Sequence, residues 1–426
     1  GAVAPASSAV HSGRVPQVSF DVIPHVLLAL IAIIVGSRLV GRLMQLLGQP
    51  AVIGEVTAGI LLGPSLLGQL APGVSAFLWP TALLPFLGLI AQLGVILYMF
   101  VVGVELDTGL LRGRTHSTVA VSHASIVVPF LAGSALAVWL YPRYSTSDVS
   151  FDGFALFIGV SMSITAFPVL ARILTDRKLH RTRIGAIALA CAAVDDVTAW
   201  CLLAFVVGIV KAETGHVLSI LGLTVGFIAL MLIGVRPLVD RFVRWREAQA
   251  ALPAGALGVV FVALLASAFA TEFIGIHALF GAFVLGALVP HDSALAKDIH
   301  EKLEDVVVVL FLPAFFAFTG IRTQIGLVSS ADDWMVCGLI IAVASVGKFG
   351  GSTLAARLTG LGWRDASSIG ILMNTRGLME LIVLNVGLDL GILSPTLFAM
   401  FVLMALVTTY MTTPILNALG PRQAAE

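Results

Sequence analysis

Charge is what this sequence has least of. Only 11% of its 426 residues are Asp, Glu, Lys or Arg, against 58% hydrophobic. A soluble domain carries about 25% charged residues, and a disordered chain combines high charge with low hydrophobicity, so both classes are excluded. Net charge is also missing: 24 basic residues balance 24 acidic ones, which leaves no basic footprint for nucleic acid. Cysteine is sparse. Cys191, Cys201 and Cys337 each sit inside an apolar run without metal-ligand spacing, and are read as small packing residues. The first twenty residues are rich in Ala and Ser and begin with Gly rather than Met. They read as a polar tail outside the fold and not as a signal peptide.

What is abundant is apolar length. A membrane helix needs about 20 apolar residues, and the sequence divides into thirteen such runs at 22–46, 51–69, 81–104, 117–140, 151–174, 184–210, 217–239, 253–271, 273–290, 304–322, 334–357, 366–388 and 393–419. An all-α polytopic membrane protein of about thirteen transmembrane helices follows. With the N-terminus outside and the C-terminus cytoplasmic, the inner connections collect eighteen Lys and Arg residues and the outer ones only Arg14, Arg143, Lys211 and Arg322. That asymmetry obeys the positive-inside rule. Lys348 and Arg376 stay unassigned, because both fall within spans.

Two runs are interrupted. The fifth contains Ser163-Ile164-Thr165-Ala166-Phe167-Pro168 and the twelfth Asn374-Thr375-Arg376-Gly377. AGILLGPSL in the second run and GAFVLGALVP in the ninth echo each other while running in opposite directions. These features predict inverted five-helix repeats, spans 2 to 6 against 9 to 13, with two crossed broken helices at the midplane.

Asp195 and Asp196 lie in the middle of the sixth run. A carboxylate at the bilayer centre costs roughly 2.5–3.5 kcal/mol even on lenient scales, so the pair demands partners or a function. Adjacent helical residues point about 100° apart and cannot share one partner. One is expected to face a water-filled cavity as the exchangeable group, and the other to meet Lys348. Thr165 and the backbone around Pro168 offer neutral oxygens to a dehydrated cation. Arg376 and Glu380, four apart, are expected to form an internal salt bridge that offsets half-helix end charges. Glu55, Glu105, Asp107, Glu272 and His277 are weaker candidates, read as structural before functional, although Glu55 or His277 could line a funnel.

Taken together these residues resemble the monovalent cation:proton antiporter superfamily, in its branch of bacterial sodium or potassium/proton antiporters and plant cation/proton exchangers. The matching stretches are QPAVIGEVTAGILLGPSLLG at 49–68, SITAFPVLARIL at 163–174, AVDDVTAWCLLAF at 193–205, IGIHALFGAFVLGALVP at 274–290 and MNTRGLMELIVLNVGL at 373–388. The resemblance implies a homodimer in the bacterial inner membrane and an elevator motion. Scaffold and dimer helices 1–3 would occupy 21–110 and helices 8–10 would occupy 251–325. Core helices 4–6, with the Asp pair, would occupy 111–212, and core helices 11–13 would occupy 326–420. A linker helix would fill 213–250, with tails at 1–20 and 421–426.

The resemblance also implies that Asp196 binds the ion, sodium or potassium in competition with a proton, that Asp195 pairs with Lys348, and that two acids favour electrogenic exchange. No cofactor and no enzymatic activity are implied. A cation channel or a proton-coupled organic-solute transporter would share the buried acids. An intramembrane aspartyl protease would need its acids on two helices and a Gly-x-Gly-Asp signature that is absent.

Overall fold

The structure is a computed structural model that describes residues 22–106, 116–145, 149–177, 179, 182–211, 217–249 and 253–420. Both tails, and Asp107, Arg112, Arg114, Lys178 and Arg181, lie outside the described residues. Among the described residues every regular element is helical. In a bilayer this is the expected answer, because a helix satisfies its own backbone where no water can.

The first helices are α1 (Val22–Leu46), α2 (Ala51–Leu62), α3 (Leu84–Glu105) and α4 (His116–Tyr144). The first broken span consists of α5 (Phe151–Ser163) and α6 (Phe167–Asp176), and α7 (Arg183–Lys211) carries the aspartate pair. Next, α8 joins Val217–Ala229, a π-turn at Leu230–Val235 and Arg236–Glu247. It is followed by α9 (Ala254–Ile274) and the short α10 (Ala278–Ala287). Two more helices contain π-turns: α11 joins Ala294–Val306, Val307–Phe311 and Leu312–Arg322, and α12 joins Ala331–Ser345, Val346–Gly350 and Gly351–Leu358. The second broken span is α13 (Trp363–Met373) with α14 (Leu378–Asp389), bent by 41° at the break, and α15 (Pro395–Leu419) closes the fold.

Ten helices among the described residues are long and apolar enough to cross a membrane, or eleven when the bent pair counts as one span. The expected spans 151–174 and 273–290 correspond to shorter helices, for local reasons. The first is interrupted after Ser163. In the second, α9 stops at a left-handed Gly275, the backbone turns through His277 (φ 94°), and Glu272 Oε2 accepts the Ala278 amide at 2.9 Å, starting α10 afresh. Glu272 is thus a helix-start acceptor, favourable at the positive end of a helix.

Close helix approach is set by glycine. A Cβ on Gly320 of α11 would stand 2.2 Å from the Gly59 backbone of α2, and one on Gly286 of α10 would stand 2.2 Å from the Phe100 carbonyl of α3, beside Gly103. Helices in lipid gain little from apolar burial alone, so small residues that let backbones touch decide which pairs form. The two contacts tie α2 to α11 and α3 to α10. Gly320→Ala overpacks the first contact and is expected to destabilise by about 1–3 kcal/mol. Gly338→Ala meets nothing within 4 Å and is expected to be neutral. Thermal unfolding of the purified variants in detergent checks the difference.

Candidate functional site

A helix leaves its last four carbonyls without intrahelical partners, and within a membrane they cannot turn to water. Helix α5 ends at Ser163 in the interior, and each of its last four carbonyls is met. Ser163 Oγ donates to Val160 O at 2.8 Å. Arg376 Nη1 donates to Ser161 O at 2.7 Å and its Nη2 to Met162 O at 2.6 Å. Lys348 Nζ donates to Ser163 O. Two buried cations from separate spans therefore cap one half-helix, at the end whose dipole is negative.

Lys348 is placed by two backbone irregularities. It sits in the π-turn Val346–Gly350 of α12, a distortion common at functional positions, and its side chain is fully buried. Its second acceptor is the Ser125 carbonyl, at 2.8 Å. That carbonyl is free because Pro129, four residues on within α4, has no amide hydrogen to return to it. The third acceptor is Asp195 Oδ2 at 2.9 Å. An ammonium has three donors, and all three are used.

Asp195 is 1% exposed and over-supplied with partners. Besides Lys348, Ser125 Oγ lies 2.8 Å from its Oδ2, and Thr165 Oγ1 also lies 2.8 Å from Oδ2. Thr165 Oγ1 is 3.1 Å from the Met373 carbonyl as well, at the end of α13. The two unwound stretches meet directly, with the Ala166 amide donating to Thr375 O at 3.0 Å. Pro168 falls in the first turn of α6, where a missing amide is harmless. Thr165, expected to serve a cation at Asp196, has its hydroxyl against Asp195.

Asp196 is the opposite case. It is 2% exposed, and neither carboxylate oxygen has a hydrogen-bond partner among the described residues. The Phe167 N–H at the start of α6 faces its carboxylate without meeting full hydrogen-bond geometry. Where a carboxylate facing a water-filled cavity is expected, the structure holds Asp196 enclosed by protein. A cavity of about 360 Å³ lies elsewhere, lined by His277, Arg322, Asn385 and Asp389 among others. There Arg322 bonds Asp389 at 2.6 Å and Asn385 at 3.1 Å, tying the end of α11 to α14.

Arg376 and Glu380 form the predicted internal pair, 2.8 Å apart and fully buried. Glu380 occupies the first turn of α14, where an acid is favoured. The charges then sum simply: Lys348 balances Asp195, Arg376 balances Glu380, and Asp196 is left over. Of the weaker candidates, His277 lines the cavity already described and Glu105 bonds His300 at 3.1 Å, with Glu304 on the other ring nitrogen at 2.5 Å. Glu55 is partly exposed on α2.

Sequence reasoning missed Ser125, Pro129 and Asn374. Asn374 is fully buried, and both polar atoms of its amide lack partners among the described residues; each such atom costs about 1–3 kcal/mol. A proline four residues after a serine within an apolar run was the available signal for the first two.

A model of the transmembrane sodium/hydrogen exchanger matches residues 21–418. The chain belongs to the sodium/hydrogen exchanger family. The chain is 42% identical to the Na(+)/H(+) antiporter NhaS4 of Synechocystis, covering 93% of this chain and 98% of that one. It is 40% identical to cation/H(+) antiporter 17 of Arabidopsis thaliana and 36% identical to K(+)/H(+) antiporter 1 of Saccharomyces cerevisiae, but spans about half the length of these relatives, 48% and 44%. Its fold matches that of the sodium proton antiporter MjNhaP1 from Methanocaldococcus jannaschii with a TM-score of 0.67 at 15% identity, over 93% of this chain and 96% of the other. The chain is accordingly a multi-pass integral membrane protein of a cation/proton antiporter family, and these relatives are transporters rather than enzymes.

Removing one partner of a buried ion pair strands the other charge, at about 3–5 kcal/mol. Arg376→Ala is expected to lose that much, since it strands Glu380 and two carbonyls of α5. The double variant Arg376→Ala, Glu380→Ala is expected to recover part of it. Denaturation midpoints of the single and double variants check the coupling.

Proposed function

We propose that this protein is a secondary active antiporter that swaps sodium or potassium for protons at Asp196. The observation that carries this reading is the charge balance: one buried carboxylate remains uncompensated once Lys348 and Arg376 have met their partners. An uncompensated buried carboxylate is costly, and either one proton or one monovalent cation removes that cost. The two cargoes therefore compete for one group, and the empty site crosses the membrane poorly. Exchange replaces leak. Backbone oxygens at the breaks supply neutral ligands, Pro168 keeps α5 and α6 apart, and Thr165 positions Asp195.

Several finer features belong to the same proposal. Spans 2 to 6 and 9 to 13 form inverted repeats, a reading supported by the two glycine contacts, since an axis exchanging span 2 with 9 and span 3 with 10 carries the α2–α11 contact onto the α10–α3 contact. Spans 4 to 6 and 11 to 13 move as an elevator against a scaffold of spans 1 to 3 and 8 to 10, with α8 as linker. The assembly is a homodimer in a bacterial inner membrane, N-terminus outside. Transport is electrogenic, because opening the Asp195–Lys348 pair lets Lys348 release a second proton.

In proteoliposomes loaded with a pH dye, sodium or potassium is expected to drive proton movement that survives clamping of the membrane potential. Asp196→Asn is expected to abolish it, and retained exchange would overturn the assignment. The double variant Asp195→Asn, Lys348→Gln removes a neutral pair. If it remains active, its exchange is expected to lose sensitivity to an imposed potential.

A further inference from the structure

Among the described residues, two buried side chains leave both of their polar atoms unpaired: Asp196 and Asn374. They are far apart in sequence, yet the contacts between the broken spans bring their neighbours together. Thr165 touches Asp195 on one side and the Met373 carbonyl on the other, and the Ala166 amide bonds the Thr375 carbonyl. Asn374 lies between those two contacts in the α13–α14 break, and Asp196 follows Asp195 beside the start of α6. The backbone of Asn374 is therefore held at the crossing, and its side chain is fully buried.

We infer that Asn374 is a specificity-determining ligand of the transported cation, its carboxamide oxygen completing the site around Asp196. This inference rests on the proposed antiport at Asp196. The chemistry suits both cargoes. A carboxamide has an oxygen acceptor and two N–H donors. The oxygen coordinates a dehydrated sodium or potassium ion, or accepts the proton of a neutral Asp196 carboxyl. A neutral oxygen also suits selection among ions of equal charge, which turns on ligand number and cavity size. The amide is unpaired within the protein because its partner is the cargo.

Asn374→Leu tests this, with Asn374→Ala beside it. Leucine shares the branched shape of asparagine with bulkier ends, and alanine adds no bulk; both remove the unpaired atoms, so thermal stability without cations is expected to hold or rise in at least one of them. Over the same variants the cation concentration for half-maximal proton movement is expected to rise about tenfold, as for loss of one polar contact. The ratio of sodium to potassium values is expected to shift, and stabilisation of the purified protein by saturating sodium or potassium to shrink. Unchanged half-saturation and an unchanged ratio would overturn the inference. Failure of both variants to fold would overturn it too, because it would mean that the amide is satisfied inside the protein. If Asp196→Asn retains exchange, the antiport reading fails first. If Asp196→Asn is dead and the Asn374 variants behave as wild type, only the role of Asn374 falls.

Discussion

The end of a helix inside a membrane has to be answered by something other than water. Everything distinctive in this protein is arranged around one such end, that of α5. Its four terminal carbonyls are covered by a serine hydroxyl, an arginine and a lysine, and each buried cation then requires an anion, which fixes Glu380 and Asp195 in turn. The network closes on itself and leaves one acid outside it. A break in one span is thus enough to explain why four paired ionisable groups occur where apolar side chains would be cheaper, and a fifth, Asp196, stands outside their pairing.

Much of this was legible in the chain, because charge is so rare in it that each intramembrane Asp, Glu, Lys or Arg stands out. One of the two aspartates could be paired with Lys348 on economy alone, the choice of Asp195 comes from the family resemblance, and Arg376 could be paired with Glu380 on helical spacing. Both breaks were legible too, from polar residues and Pro168 in otherwise apolar runs. The partners without charge were not. Ser125 reads as an ordinary small residue in a span, Thr165 could serve either aspartate, and nothing local distinguishes the buried Asn374 from a solvated one. Spacing along a chain fixes neighbours within a helix, whereas these contacts join residues 30 to 223 positions apart.

Span number shows the same division. Apolar length predicts thirteen runs, and the helices meeting the length of a full crossing number ten or eleven. The shortfall falls where backbone geometry intervenes: after Ser163, and at the turn through Gly275 and His277. Hydropathy measures where a chain prefers lipid. It is blind to a helix that stops halfway and restarts, which is how this fold frees backbone carbonyls within the membrane.

Pro129 gives the charge network an unexpected dependence. It is apolar, carries no group that could touch an ion, and would be passed over in any survey of polar residues. Yet the carbonyl that Lys348 uses on α4 is available because this ring has displaced one hydrogen atom from the backbone. Any other residue there would restore an intrahelical donor in competition with the ammonium. The electrostatics of the site are therefore written partly in a deletion, and a change at position 129 that conserves size and polarity would still be an edit to its charge chemistry.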